Sequence, residues 1–142
     1  MLGMQIVIAR PEGFELDPDD METIMRIGRE HGASVQVSTD QEDALVGADA
    51  VYVKSWGSID LFGKPEEEAV LRNAHRDWRL RERRLKNTRG GKGIVMHCLP
   101  VRRNVEIDDA VLDGPNSVVV DQAENRLHAQ RALMLTMIGN RQ

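Results

Sequence analysis

Short apolar runs alternate along this chain with stretches whose apolar residues recur every three or four positions. Gln5-Ile6-Val7-Ile8-Ala9 is apolar and β-branched, which predicts a buried strand. Pro11, Gly13 and Pro18 punctuate 10–18 as a loop. Asp19 and Asp20 stand where they can cap a helix over 21–31, which buries Met21, Ile24, Met25 and Ile27 and stops at Gly32. Ser34-Val35-Gln36-Val37-Ser38 alternates as a second strand. Thr39 or Asp40 caps a short helix through Ala44 and Leu45, and 48–53 leads into a third strand ending at Lys54.

The segment 55–67 has no clear period and reads as an insertion. A polar helix is expected over 68–88, broken by Gly90-Gly91. Residues 94–98 form strand four, 105–112 a helix, 117–120 strand five and 123–138 a final helix with Leu127, Ala129, Ala132, Leu133 and Met137 buried. This order predicts a three-layer α/β domain: a parallel, five-stranded, Rossmann-like sheet with helices on both faces. A chain of 142 residues accommodates one such domain, spanning 1–142.

Composition narrows the partners. The net charge of -4 gives no reason to expect a nucleic-acid partner. Cys98 is the single cysteine, so no internal disulfide forms and a reducing cytoplasm is expected. No run approaches the length of a membrane span, so no membrane partner is expected. Met1-Leu2-Gly3-Met4 lacks the basic region of a secretion signal.

Two common uses of such a domain lack their residues. A dinucleotide cradle needs Gly-x-Gly-x-x-Gly after the first strand, where this chain has Arg10-Pro11-Glu12-Gly13-Phe14-Glu15. A phosphoacceptor domain needs carboxylates where Lys54 and Arg10 stand. One cysteine and scattered histidines give no metal-ligand spacing.

Chemistry concentrates at strand ends. His97-Cys98-Leu99-Pro100-Val101-Arg102-Arg103-Asn104 follows strand four, where parallel sheets bind ligands. X-Pro is the bond at which a cis peptide is cheap, and one at Leu99-Pro100 would turn backbone groups toward the crevice. His97 and Cys98 point to opposite faces of the strand and cannot pair with each other. The Cys98 side chain reads as a small buried hydrophobe. Lys54 either snorkels to the surface or serves a site at the end of strand three. Arg126, read as opening the last helix after Asn125, needs an anionic partner: Asp121, Glu124 or a ligand. Glu106 either complements a helix N-terminus or contributes charge to a site. The eight basic residues over 76–92 surround Trp78 but are interrupted by Asp77 and Glu82, which favours a solvated or subunit-facing helix.

His97-Cys98-Leu99-Pro100 with Arg102-Arg103-Asn104-Val105 resembles the transcarbamylases. Lys54-Ser55-Trp56-Gly57 and Glu124-Asn125-Arg126 make it most similar to the branch acting on N-acetylornithine and N-succinylornithine. The resemblance covers nearly the whole chain and only the second of the family's two domains. It implies an arginine-biosynthesis carbamoyltransferase without metal or organic cofactor, which moves the carbamoyl group of carbamoyl phosphate onto N-acylated ornithine. Lys54, Ser55, Trp56, His97, Cys98, Leu99, Pro100, Glu106 and Arg126 would bind substrate. The catalytic part would fall to Arg126 with the backbone of Cys98 and Leu99.

Where the branch can carry a modified, carboxylated lysine, this chain has Glu106, which is shorter and needs no modification. The family's Ser-x-Arg-Thr-Arg phosphate string is missing from the sequence. The expectation is therefore an amino-acid-binding half whose N-terminal domain is absent and which is inactive alone. Family enzymes are trimers held largely through that other domain. The resemblance also implies a trefoil knot, with 57–71 passing through the loop 10–18. Two alternatives stay open: a non-catalytic amino-acid-binding or assembly module, and an ordinary ornithine carbamoyltransferase domain.

Overall fold

Strands alternate with helices, as the pattern predicts, but the strands group in two pairs. The computed structural model describes residues 3–139; Met1 and Leu2 of the opening stretch lie outside the described residues. Strand β1 (Gln5–Ala9) runs parallel to β2 (Ser34–Ser38), with Ile6 opposite Val35 and Ile8 opposite Val37. Strand β3 (Ala50–Val53) runs parallel to β4 (Ile94–His97), with Val51 opposite Val95 and Val53 opposite His97.

The expected five-stranded sheet is corrected at two places. β1 and β3 do not pair; consecutive residues of both, Ile6–Ala9 and Ala50–Val53, line a cleft of about 530 Å³. The expected fifth strand is reduced to one bridge, Ser117 beside Val95, with Val118 N–H donating to the Val95 carbonyl at 2.9 Å. Val119 already belongs to helix α6 (Val119–Gly139), so the β-branched run turns helical after a single rung.

Helix α1 (Pro18–Glu30) starts one turn earlier than its apolar spacing suggests. Pro18 occupies the first turn, and the cap is Asp17, whose Oδ1 accepts from the amides of Asp19 at 2.9 Å and Asp20 at 3.3 Å. Asp19 and Asp20 supply first-turn charge instead. Gly28 lets α1 press onto β2: a Cβ there would lie 3.2 Å from Val35 Cγ2. Asp40 caps helix α2 (Gln41–Ala44).

The expected long polar helix is broken into α3 (Pro65–Ala74), a 3₁₀ turn at Arg76–Trp78, α4 (Glu82–Leu85) and a second 3₁₀ turn at Arg89–Gly91. Its arginines explain why it bends back: Arg79 pairs with Asp108, Arg81 with Asp77, Arg84 with Glu42 and Arg89 with Asp49. Half of the eight basic residues in this stretch thus have carboxylate partners on the protein itself.

Helix α5 (Asp109–Leu112) is shorter than expected and begins after Glu106 rather than before it. Leu45, Leu80, Leu85, Val95, Ile107, Val111, Leu112 and Val119 form the buried core around β4. Burying such side chains stabilises by about 1.5–3 kcal/mol each. Past its first turn α6 departs from this core. Leu127, Leu133, Met134, Leu135, Met137 and Ile138 are exposed, and so are Ala129 and Ala132, against the expectation that Leu127, Ala129, Ala132, Leu133 and Met137 are buried. Among the described residues no helix is long and apolar enough to cross a membrane.

Candidate functional site

The β3–β4 register builds the site. Val53 and His97 are paired last residues, so Lys54 and Cys98 leave the two strands side by side. Lys54 Nζ accordingly lies 3.4 Å from Cys98 Sγ, across 44 residues of chain. The Leu99–Pro100 peptide is cis, and Leu99 has φ +51°, one of two non-glycine residues with positive φ among the described residues. Arg126 lies two turns inside α6, so the helix N-terminus no longer bears on it. Its Nη1 donates to the Cys98 carbonyl at 3.3 Å; neither Asp121 nor Glu124 pairs with it among the described residues. Two cations thus flank the Cys98–Leu99 turn.

Alternation along β4 sends Val95 and His97 inward, 0% and 1% exposed. His97 is held three ways. Its amide donates to Gln122 Oε1 at 3.0 Å, its Nδ1 accepts the Leu99 amide at 2.9 Å, and its Nε2 lies 3.1 Å from Glu106 Oε2. The Leu99 amide brings its own hydrogen, so Nδ1 carries a lone pair and Nε2 is the donor to Glu106. His97 therefore approaches the turn through Leu99, not through an exposed ring.

Glu106 has a fully buried side chain beneath the floor of the cleft. Oε1 accepts from Ser55 Oγ at 2.7 Å and Arg102 Nε at 2.6 Å; Oε2 accepts from His97 Nε2 and from the Arg102 amide at 3.2 Å. Burial pushes the carboxyl up, but the hydrogen bonds from Ser55 and Arg102 and the Arg102 charge outweigh it, and its pKa lies below the ordinary value. All four lone-pair directions are filled, so Glu106 reaches a ligand through Ser55 and Arg102 rather than directly. It lies outside the first turn of α5, so the helix-terminus role weighed for it does not apply.

Trp56 packs edge-on against Phe14 at 4.7 Å and under the Arg72 guanidinium at 5.9 Å. It stands on the wall of the cleft, together with Arg10, Lys54 and Ser55. The structure brings Lys54, Cys98, Leu99, His97 and Arg126 together at the two strand ends and ties Ser55 to them through Glu106. Pro100 follows in the same turn.

Sequence reading missed Gln122 and Phe14 as supports of this site. Arg102 and Glu106 are four residues apart, a spacing that signals an ion pair. Gln122, which also donates to the Tyr52 hydroxyl at 2.8 Å, lies 25 residues from His97 and carries no local signal. Among the described residues no group of three or more His, Cys, Asp or Glu could hold a metal.

This parallel α/β unit carries its cations and a positive-φ turn at adjacent strand ends, the place where open α/β sheets take ligands. The chain belongs to the family described as Aspartate/ornithine carbamoyltransferase, Asp/Orn binding domain, which it matches over residues 1–137. It is 41% identical over 139 residues to the N-acetylornithine carbamoyltransferase of Xanthomonas campestris pv. campestris, covering 97% of this chain and 40% of that protein. It is 40% identical over 133 residues to the chloroplastic ornithine carbamoyltransferase of Pisum sativum, covering 94% and 34% respectively. Among solved structures it resembles acetylornithine transcarbamylase complexed with acetylcitrulline, with TM-score 0.85 and 41% identity over 94% of this chain and 40% of that one. The chain thus spans between about a third and two fifths of the length of these relatives.

Proposed function

We propose that this chain is the amino-acid-binding half of a carbamoyltransferase that carbamoylates N-acylated ornithine, and that it is inactive without a carbamoyl-phosphate-binding domain. The observation that carries this reading is the convergence of Lys54 and Arg126 on the Cys98–Leu99 turn. The side-chain amine of the substrate attacks the carbonyl carbon of carbamoyl phosphate. A C–N bond forms, the bond from the carbonyl carbon to the bridging phosphate oxygen breaks, phosphate leaves with the electron pair, and the proton given up by the amine passes to the departing phosphate.

Positioning and electrostatics must supply most of such a step. Arg126 is assigned the phosphate and carbonyl oxygens, Lys54 the carboxylate end of the acylated ornithine, and Ser55 and Trp56 the cleft wall beside it. The Leu99 amide is spent on His97, so the turn offers carbonyl acceptors rather than that donor.

The exposed apolar side chains of α6 support docking of a separate domain, because patches of this kind mark interfaces. That domain would bring the phosphate-binding string this sequence lacks and the contacts of a trimer. The knotted path is part of the same reading. Its support is the packing of the loop 10–18 on the later segment: Phe14 meets Trp56 and, at 5.9 Å, His75, and a Cβ on Gly13 would sit 3.2 Å from Leu71.

The test is a carbamoyl-transfer assay scoring ureido product from ornithine, N-acetylornithine and N-succinylornithine, with the chain alone and with a family first domain added. Product only in the mixture, from an acylated amine, supports the reading. Turnover by the pure chain refutes the half-enzyme part. The ordinary ornithine enzyme is kept as a second reading because the plant relative is nearly as similar as the bacterial acetylornithine enzyme; preference for free ornithine would establish it.

A further inference from the structure

The His97 side chain is 1% exposed, with both ring nitrogens engaged inside the protein and its backbone amide held by Gln122. Nothing about a ligand site requires an amide at Leu99 to be capped. A free backbone N–H at an exposed turn would ordinarily be satisfied by water. Here it is turned back over two residues onto a buried ring whose opposite nitrogen is tied to a buried carboxylate.

We propose that His97 is a positioning residue that removes the Leu99 amide from the reacting amine. The inference rests on the proposed transfer to an amine. A neutral amine attacks through its lone pair. A backbone N–H aimed at that nitrogen would donate to the lone pair and hold it away from the carbonyl carbon. Glu106 fixes the proton on Nε2, which leaves Nδ1 free to accept the amide. With the amide withdrawn and φ held at +51°, Leu99 is left with its carbonyl, which accepts a hydrogen bond from the amine N–H and leaves the lone pair free to attack, while the proton released in the transfer leaves with the phosphate. The chain Glu106–His97–Leu99 is thus a polarity device that suits an amine nucleophile. None of its members needs to touch the substrate through a side chain.

Two near-isosteric substitutions separate the two ring contacts. His97→Asn keeps an acceptor near Nδ1 and loses the donor to Glu106. His97→Gln keeps a donor near Nε2 and loses the acceptor for Leu99. In the ¹⁵N-labelled full chain, long-range ¹H–¹⁵N correlation should show Nδ1 unprotonated and Nε2 protonated, with a slowly exchanging Leu99 amide. H97N should keep that protection, whereas H97Q should lose about tenfold or more, the worth of one ordinary hydrogen bond.

In the reconstituted assay with N-acetylornithine, H97Q should lower kcat by about tenfold or more with KM changed less than about threefold, and H97N should retain more kcat than H97Q; a misplaced reacting group costs turnover more than binding. A proton on Nδ1 in the wild-type chain, or equal Leu99 exchange in the two variants, would overturn the proposal. If neither variant folds by circular dichroism, the wild-type tautomer and Leu99 exchange decide alone. Wild-type mixtures that make no product while Leu99 stays protected would count against the carbamoyl-transfer reading and leave the hydrogen-bond device standing.

Discussion

Ser55 donates its hydroxyl to Glu106 Oε1 over 2.7 Å, joining residues 51 positions apart. Through this bond the turn after β3 and the turn after β4 share one buried carboxylate. Removing it strands Arg102, His97 and Ser55 at once. Breaking a buried charged pair from one side costs about 3–5 kcal/mol, and Arg102, 42% exposed, can recover part of that in water. Glu106→Ala should therefore lower unfolding free energy by about 2–3 kcal/mol. Urea denaturation at pH 7 measures this, and a loss under about 0.5 kcal/mol, the range of ordinary surface substitutions, would contradict the buried network.

The same carboxylate gives the molecule an acid limb. The Glu106 pKa is depressed in the folded chain against an ordinary value of 4.5. Its contribution is complete above the unfolded pKa and is lost as pH falls through the lower folded one. Glu106→Gln should accordingly be less stable than wild type at pH 7, and the gap should narrow as pH is lowered below 4.5. Urea midpoints of both proteins between pH 7 and pH 3 give the comparison. Parallel curves would mean that Glu106 does not titrate differently on folding.

Much of this site was legible from local pattern. Alternating and β-branched runs located β1 to β4, and position at a strand's carboxyl end singled out Lys54 and, separately, the turn that begins at His97; their adjacency came only with the β3–β4 register. The failures are non-local. Val118-Val119-Val120 has strand propensity, yet Val119 continues into a helix rich in Ala, Leu and Gln, and one bridge to Val95 is all that remains. Glu106 looked like a helix-start carboxylate because spacing along the chain cannot show that Ser55 and His97 close over it. The polar stretch 68–88 broke where Arg79, Arg81 and Arg84 found acceptors, and no helical period records such partners.

Gly114 makes a steric prediction independent of the chemistry. A Cβ there would lie 2.5 Å from the Ala110 carbonyl oxygen, which is backbone and cannot swing aside. Gly114→Ala should destabilise by about 1–3 kcal/mol, the cost of forcing extra volume into a packed site. Gly139, with nothing within 4 Å of its Cβ position, is the control, and Gly139→Ala should be neutral or slightly stabilising. Thermal melts of the two variants should separate clearly; equal melting temperatures would mean that the 110–114 turn relaxes freely.

The exposed side chains of α6 make opposite predictions for folding and for assembly. Leu135 and Ile138 are each 70% exposed, so a charge there removes little from the core. Leu135→Glu should change the stability of the chain by no more than about 0.5 kcal/mol. If a first domain covers this helix, the same change buries an unpaired carboxylate in the joint and should weaken complementation in the transfer assay by about tenfold or more, from a desolvation cost of at least 1–3 kcal/mol. Lys54→Ala should act differently, raising KM for the acylated amine while leaving the amount of first domain needed for half-maximal activity unchanged. A Leu135→Glu chain that reconstitutes like wild type would place the joint elsewhere and leave the apolar length of α6 without a partner.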